Sequence, residues 1–260
     1  MHFLYSNAIL ESEFAVLQAT SRTEHEGYYV HFHSEKYPNF YDGNALWCLD
    51  HPNVRVHKLV EKWNEYFPNA QHRNIFLNAW SDEQSLIQQA KEAGFKAIDR
   101  SRFMVASTHL AEAPAAEHIH PIQSEQDWIE FQQHVDKCNP TIPWFAGEGF
   151  EKKREASTKM PIHWFVYRDP ETKEILSSAG VFKHRHLSRL QDVQTNPDRF
   201  REGLSTKVVK QVIHYAQKQL GVDQIALVCD PNYHAYTFYQ KLGFEDRFDL
   251  FQLKDFPFLD

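Results

Sequence analysis

The sequence predicts an α/β fold in two parts, and three observations carry that expectation. Apolar runs of strand length alternate with segments whose apolar residues recur at helical spacing. The stretch from Arg189 to Leu253 reads without interruption as strand, helix, strand, helix, strand. Between the halves, Ser107 to Glu117 is poor in large hydrophobics and broken by Pro114, so residues 1–110 and 117–260 are expected as separate domains. A length of 260 residues suits two domains of roughly 100–150 residues each.

In the first half, Gly27 to His33 and Asn44 to Leu49 read as strands. Pro52 to Phe67 carries Val54, Leu59, Val60, Trp63 and Phe67 at helical intervals, and Pro68 stops it. Asn74 to Trp80 is strand-like, and Ser81 with Gln84 has the spacing of a capping box for the next helix. That helix ends near Ala93, and Gly94-Phe95 leads into a strand over Ala97 to Ala106.

The second half opens with a short strand, His118 to Ile122, and a helix from Ser124 toward Cys138. Asn139 to Phe150 reads as a Pro- and Gly-bearing loop, and Gly149 to Lys159 as a second helix. Strands are expected at His163 to Tyr167, Ile175 to Lys183 and Arg189 to Thr195, the first two joined by an Asp169-Pro-Glu-Thr172 turn. The helix Gly203 to Leu220 places Leu204, Val208, Val212, Ile213, Ala216 and Leu220 on one side. Ile225 to Cys229 is an apolar strand, Asn232 to Leu242 a helix and Phe244 to Leu253 the last strand.

Composition narrows the function. The chain is 42% hydrophobic and 24% charged, as an ordinary folded protein is. A formal charge of −7 disfavours a nucleic-acid partner. Cys48, Cys138 and Cys229 match no zinc spacing and no disulfide framework, which points to a reducing cytoplasm. No window approaches 18 consecutive apolar residues, and the first residues lack a basic leader, so neither membrane insertion nor export is expected. Three His-x-His pairs (His31/His33, His118/His120, His184/His186) each put two imidazoles on one strand face. None has a further ligand at coordinating spacing, so no metal is assigned. Cys229 with His234 is rejected as a nucleophilic pair because Cys229 sits inside an apolar strand.

Two segments carry the chemistry. Thr195-Asn-Pro-Asp-Arg-Phe-Arg-Glu-Gly-Leu-Ser-Thr206 joins a strand to a long amphipathic helix through a glycine at the helix mouth. Free backbone N–H groups and the dipole at such a helix start favour a pyrophosphate. Gly203 permits close backbone approach, Ser205 and Thr206 keep the first turn open, and Arg199, Arg201 and Lys207 add positive charge. Downstream, Asn232, Ala235 and Tyr239 fall at i, i+3 and i+7, followed by Gly243-Phe244. On the strand before the loop, Asp192 and Gln194 share one face, which makes Asp192 either a candidate general base or an ordinary surface or core carboxylate.

In this order and at this spacing, the two segments resemble the paired acyl-CoA motifs of the GNAT superfamily of N-acetyltransferases. The resemblance is specific over residues 187–253 and extends over 117–253. It is closest to bacterial two-domain members with a catalytic C-terminal half and a diverged N-terminal half, a pattern that Tyr37 to Asn44 also fits. It implies a mixed, mostly antiparallel sheet flanked by helices, with a second, diverged GNAT-like domain at the N-terminus. It further implies acetyl-CoA as co-substrate and direct acetyl transfer to a primary amine on a small molecule or peptide.

Pantetheine is then expected along the main chain of Val193, Gln194 and Thr195, and the pyrophosphate at Arg201, Glu202, Gly203, Leu204, Ser205 and Thr206. Asn232 is expected to contact the cofactor or the loop before it. Tyr239 would protonate the departing thiolate. Phe200 and Ser205 depart from the family pattern, which has Arg or Gln and Gly or Ala there, and Glu202 is an unfavourable neighbour for a phosphate. Trp144, Phe145 and the Lys183 to Ser188 hairpin are the candidate acceptor pocket, and Trp144 and Phe145 read equally well as loop aromatics folded into the core. The alternatives are a non-catalytic acyl-CoA-binding or interaction module, and a transferase of another acyl or aminoacyl group.

Ala90-Lys-Glu-Ala-Gly-Phe95 parallels Tyr239-Gln-Lys-Leu-Gly-Phe244, either as a common helix-capping arrangement met twice or as a degenerate second copy of the fold. The first copy has Ala90 where the second has Tyr239, and it has no glycine-mouthed helix. It is therefore expected not to be catalytic.

Overall fold

The computed structural model describes residues 7–51, 53–78, 82–109, 117–139 and 148–258. The chain divides into two compact units. One comprises Met1–Phe103, Val228–Thr237 and Asp246–Asp260; the other comprises Met104–Leu227 and Phe238–Glu245.

The first unit contains α1 (Ala8–Gln18), β1 (Arg22–Glu26), β2 (Tyr29–His33), β3 (Ala45–Cys48), α2 (Val56–Tyr66), β4 (Arg73–Leu77), α3 (Glu83–Glu92) and the start of β5 (Ala97–Ser107). Most of the last strand, β11 (Glu245–Asp255), also belongs to it. The strand order is β1-β2-β3-β4-β11-β5. β1–β2, β2–β3 and β4–β11 are antiparallel and β3–β4 is parallel. The division follows no single linker, because β11 pairs with β4 from Phe251 opposite Leu77 to Asp255 opposite Arg73. Residues 110–116 of the expected linker lie outside the described residues.

Strand alternation explains the layers of this unit. Trp47 meets Phe14 of α1 and stacks on Phe76 at 4.0 Å. Its neighbours Leu46 and Cys48 turn the other way, into a cluster with Val56, Leu59, Trp63, Leu86 and Ala90 from α2 and α3. The sequence reading missed α1 and β1. β1 is Arg-Thr-Glu-His-Glu, an exposed edge strand without an apolar face. The cap of α3 is Asp82, whose carboxylate accepts from Ser85 N–H at 3.2 Å. Ser81, the residue expected there, lies outside the described residues. The capping box occurs at Ser124 and Asp127 instead.

The second unit contains the end of β5, β6 (Ile119–Pro121), α4 (Glu125–Cys138), α5 (Glu148–Lys159), β7 (His163–Arg168), β8 (Ile175–His184), β9 (Leu187–Thr195), α6 (Leu204–Lys218) and β10 (Gln224–Cys229, through Leu227). It also takes the end of α7 (His234–Lys241). Its order is β5-β10-β9-β8-β7-β6. β6–β7, β7–β8 and β8–β9 are antiparallel and β9–β10 is parallel. Adjacent residues of β7 show the two faces. Trp164 packs on Phe131 of α4 at 5.3 Å, while Phe165 meets Tyr215 of α6 at 4.9 Å. Gly180 sits opposite Trp164, and a Cβ there would come within 2.6 Å of the indole, so only glycine lets that ring lie across β8.

Both halves run through three strands, a helix, a strand parallel to the third, a helix and a final strand. Their helix-ending segments also share a capping bond. Phe95 N–H donates to the Ala90 carbonyl at 3.0 Å, and Phe244 N–H to the Tyr239 carbonyl at 3.1 Å. The expected mixed, mostly antiparallel α/β architecture is therefore borne out. Among the described residues no helix is long and apolar enough to cross a membrane.

Candidate functional site

The site begins where β9 parts from β10. Their parallel register consists of Ile225 with Ser188 and Ala226 with Arg189. β9 continues to Thr195, and there its registered partners among the described residues are on β8: Gly180 for Gln191, Ser178 for Gln194 and Ser177 for Thr195. The β10 side of Leu190 to Thr195 is thus an open strand edge, a ready partner for an extended ligand.

Within that edge lies a β-bulge. Between Ser178 and Gly180 the register shifts, so Ala179 alone faces both Asp192 and Val193. Asp192 has φ +43°, in the left-handed region that L-residues with a side chain adopt at a cost. Its carboxylate pairs with Lys153 of α5, Nζ to Oδ2 3.1 Å. Burial would raise the Asp192 carboxyl, but Lys153, with Lys152 and Arg189, outweighs it and holds the group below its ordinary value.

Thr195, at the end of β9, connects to the next helix through hydroxyls. Ser205 Oγ lies 2.6 Å from Thr195 Oγ1, which lies 2.8 Å from Ser177 Oγ. Ser177 in turn donates to the Gln194 carbonyl at 2.9 Å. This chain fastens the open edge to the first turn of α6. Gly203 is the N-cap of that helix, with φ +77° and nothing within 4 Å of where its Cβ would be. The first bond of the helix runs from Lys207 N–H to the Gly203 carbonyl, so the N–H groups of Leu204, Ser205 and Thr206 have no intrahelical partner. The Leu204 side chain itself is in the core. Any ligand contact it makes is through its N–H.

The charges beside this turn are arranged differently from the sequence expectation. Arg199 does not face an anion site freely. It donates to both carboxylate oxygens of Glu202, at 2.7 and 2.8 Å, and to Asp169 at 3.2 Å. Arg199 thereby lowers the Glu202 carboxyl and also neutralises the acid that looked unwelcome beside a phosphate. Arg201 is exposed, in a left-handed conformation, and makes no ion pair among the described residues. With Lys207, it is a cation left to meet an anion there.

Tyr239 and Asn232 fall in different units. Tyr239 is in the second unit, 8% exposed, its ring against Phe244 at 5.6 Å. Asn232 belongs to the first unit and precedes α7, which starts at His234 and not at Asn232 as expected. Its N–H closes a turn on the Asp230 carboxylate at 2.8 Å. It lines a pocket of about 430 Å³ with Arg100, Arg102, Tyr236 and Phe251.

Other candidates contribute little. His31 Nδ1 and His33 Nε2 contact each other at 2.7 Å, and among the described residues no group of three or more His, Cys, Asp or Glu is arranged to hold a metal. Burial pushes the Cys229 thiol up to about 11, against a nucleophilic role. Trp144 and Phe145 lie outside the described residues.

Sequence reasoning missed Lys153, Ser177 and the aromatic floor of Phe131 and Trp164. Lys153 sits in Glu151-Lys-Lys-Arg-Glu155, which reads as a solvated charged face. The usable signal was spacing, since Phe150, Lys153 and Ala156 recur every third residue and all three are buried.

With the geometry in place, comparison with known proteins gives the fold a name. A family model described as FR47-like protein matches residues 170–251, the stretch that holds both motif segments. No curated protein matches the chain in sequence. Among solved structures, a functionally unknown conserved protein from Staphylococcus epidermidis is similar with a TM-score of 0.74 at 12% identity, over 90% of this chain and 94% of that one. A GCN5-related N-acetyltransferase from Kribbella flavida is similar at 0.65 and 16% identity, over 98% and 96%. A tandem GNAT protein from the clavulanic acid biosynthesis pathway is similar at 0.55 and 11% identity, over 88% and 79%. The chain has the GNAT fold, and the resemblance read from its sequence holds.

Proposed function

We propose that the protein is an N-acetyltransferase that moves an acetyl group from acetyl-CoA to a primary amine. The observation that carries this reading is the open β9 edge, Leu190 to Thr195, tied by hydroxyls to a helix that begins at an uncrowded glycine. Acetyl-CoA would supply an activated acyl thioester there. The main chain of Val193 to Thr195 would bind the extended arm, and the free N–H groups of Leu204, Ser205 and Thr206, with Arg201, the pyrophosphate. Asp192, ionised beside Lys153, is the proposed proton acceptor for the amine, and Tyr239 the proposed donor to the departing thiolate. Residues 1–110, with Ala90 in place of Tyr239, are assigned a non-catalytic part, and a cytoplasmic location fits the thiol-only cysteines.

A second reading, binding of acyl-CoA without turnover, draws on the Arg199–Glu202 pair, which removes one cation from the phosphate turn. Release of free CoA from acetyl-CoA with pooled amines separates the two readings. Replacing Gly203 by Val tests the site itself. A β-branched residue at φ +77° is strained and covers the approach to the helix start. Calorimetric affinity for CoA should fall by about tenfold or more, the equivalent of about 1.4 kcal/mol. Unchanged affinity in a folded Gly203→Val protein would remove this turn from the account.

A further inference from the structure

A buried lysine lies beneath the β9 bulge. Lys153 is 7% exposed, and its Nζ stands 4.8 Å from the Trp164 ring centroid and 5.4 Å from that of Phe131. An ammonium so far removed from water needs a matching charge. Asp192 supplies it at 3.1 Å, from a side chain that is itself 44% exposed. The pair therefore has one end fixed in an aromatic floor and the other at the surface of the open strand. Asp192 is also the residue whose left-handed backbone makes the bulge. A conformation of that kind persists when its surroundings hold it.

We propose that Lys153 is a positioning residue for the acceptor side of the site, holding the Asp192 carboxylate and the β9 bulge in one orientation for the incoming amine. The proposal rests on the reading of β9 as the acyl-CoA strand. Among the described residues, the following charged and titratable groups surround the pair. Lys153 and Lys152 face Asp192 from α5, and Arg189 does so from β9. His134 and Cys138 of α4 feel Lys153. Burial, helped by Lys153, lowers His134 to about 4, and burial pushes Cys138 up to about 12, so both stay neutral between. On β8, Ser178 Oγ lies 3.2 Å from His134 Nε2 and carries no charge. His134 and Asp192 both change charge on the acid side, and of the two Asp192 is the one on the open strand. Its partial burial favours the protonated acid and Lys153 opposes this, so removing the lysine moves ionisation to higher pH.

The test is a carboxyl-carbon NMR titration of the full chain, with the Asp192 signal assigned by its loss in Asp192→Asn. In Lys153→Met the Asp192 midpoint should rise by about one pH unit or more, a tenfold change in proton affinity, and Lys153→Arg should restore most of it. Lys153→Gln provides the same neutral control if the Met variant does not fold. The kcat measured with an amine that the parent acetylates should fall in Lys153→Met and return in Lys153→Arg. Calorimetry with acetyl-CoA accompanies each sample and should still show binding. An unmoved midpoint in a folded neutral variant, with acetyl-CoA still bound, overturns the positioning role alone. Failure of the parent to bind acetyl-CoA overturns the acyl-transfer reading, and the role assigned to the pair falls with it.

Discussion

Replacing Tyr239 by Phe is expected to slow acetyl transfer by about 10²–10⁴-fold and to leave acetyl-CoA affinity near that of the parent. The phenol proton is what the change removes. The ring keeps its place, because it packs against Phe244 at 5.6 Å, and the Tyr239 carbonyl still accepts the Phe244 N–H that ends the helix. A phenol with an ordinary pKa of about 10 can donate to a thiolate generated beside it. The first half has the same helix ending around Ala90 and no phenol, which is how a copy without this step would look. The measurement is CoA release at saturating acetyl-CoA with chemistry rate-limiting. Equal rates for variant and parent would return Tyr239 to a packing role.

Replacing Phe131 by Ala should destabilise the protein by about 3–5 kcal/mol, the usual cost of emptying a fully buried aromatic position. Phe131 is 0% exposed and packs with Val135, Phe150, Trp164, Val166 and Ile175 between α4, α5 and the sheet. It also floors Lys153, so the cavity would loosen the support of Asp192 as well as the core. Urea denaturation reads the first effect as a lowered midpoint. A loss below about 1 kcal/mol would mean that the α4–α5 layer collapses readily into the space.

Much of the fold was legible because its signals are local. Gly94-Phe95 and Gly243-Phe244 mark helix ends by backbone chemistry, and the 3.6-residue period of Val208, Val212, Ile213 and Ala216 needs no tertiary knowledge. β1 was not legible, since its polar residues form a strand only by pairing with β2. Nor was the destination of β11: its apolar pattern says strand, and nothing in it says that Leu253 will face Ile75. At the site, Gly203 and its turn were readable as a motif. The parting of β9 from β10, the bulge at Asp192 and the Lys153 ion pair depend on residues distant in sequence and appear only in the folded chain. The pairing of Arg199 with Glu202 was readable in principle from their spacing, and it changes which arginine is left for an anion.

The central claim is that acetyl-CoA lies along the open edge of β9 with its pyrophosphate at the start of α6. Amide hydrogen exchange of the full chain, with and without saturating acetyl-CoA, tests it most directly. The account predicts slowed exchange in Val193 to Thr195 and in Leu204 to Thr206, with smaller changes across residues 22–77. Bound acetyl-CoA that leaves both segments unprotected, or that protects the first unit instead, would contradict it.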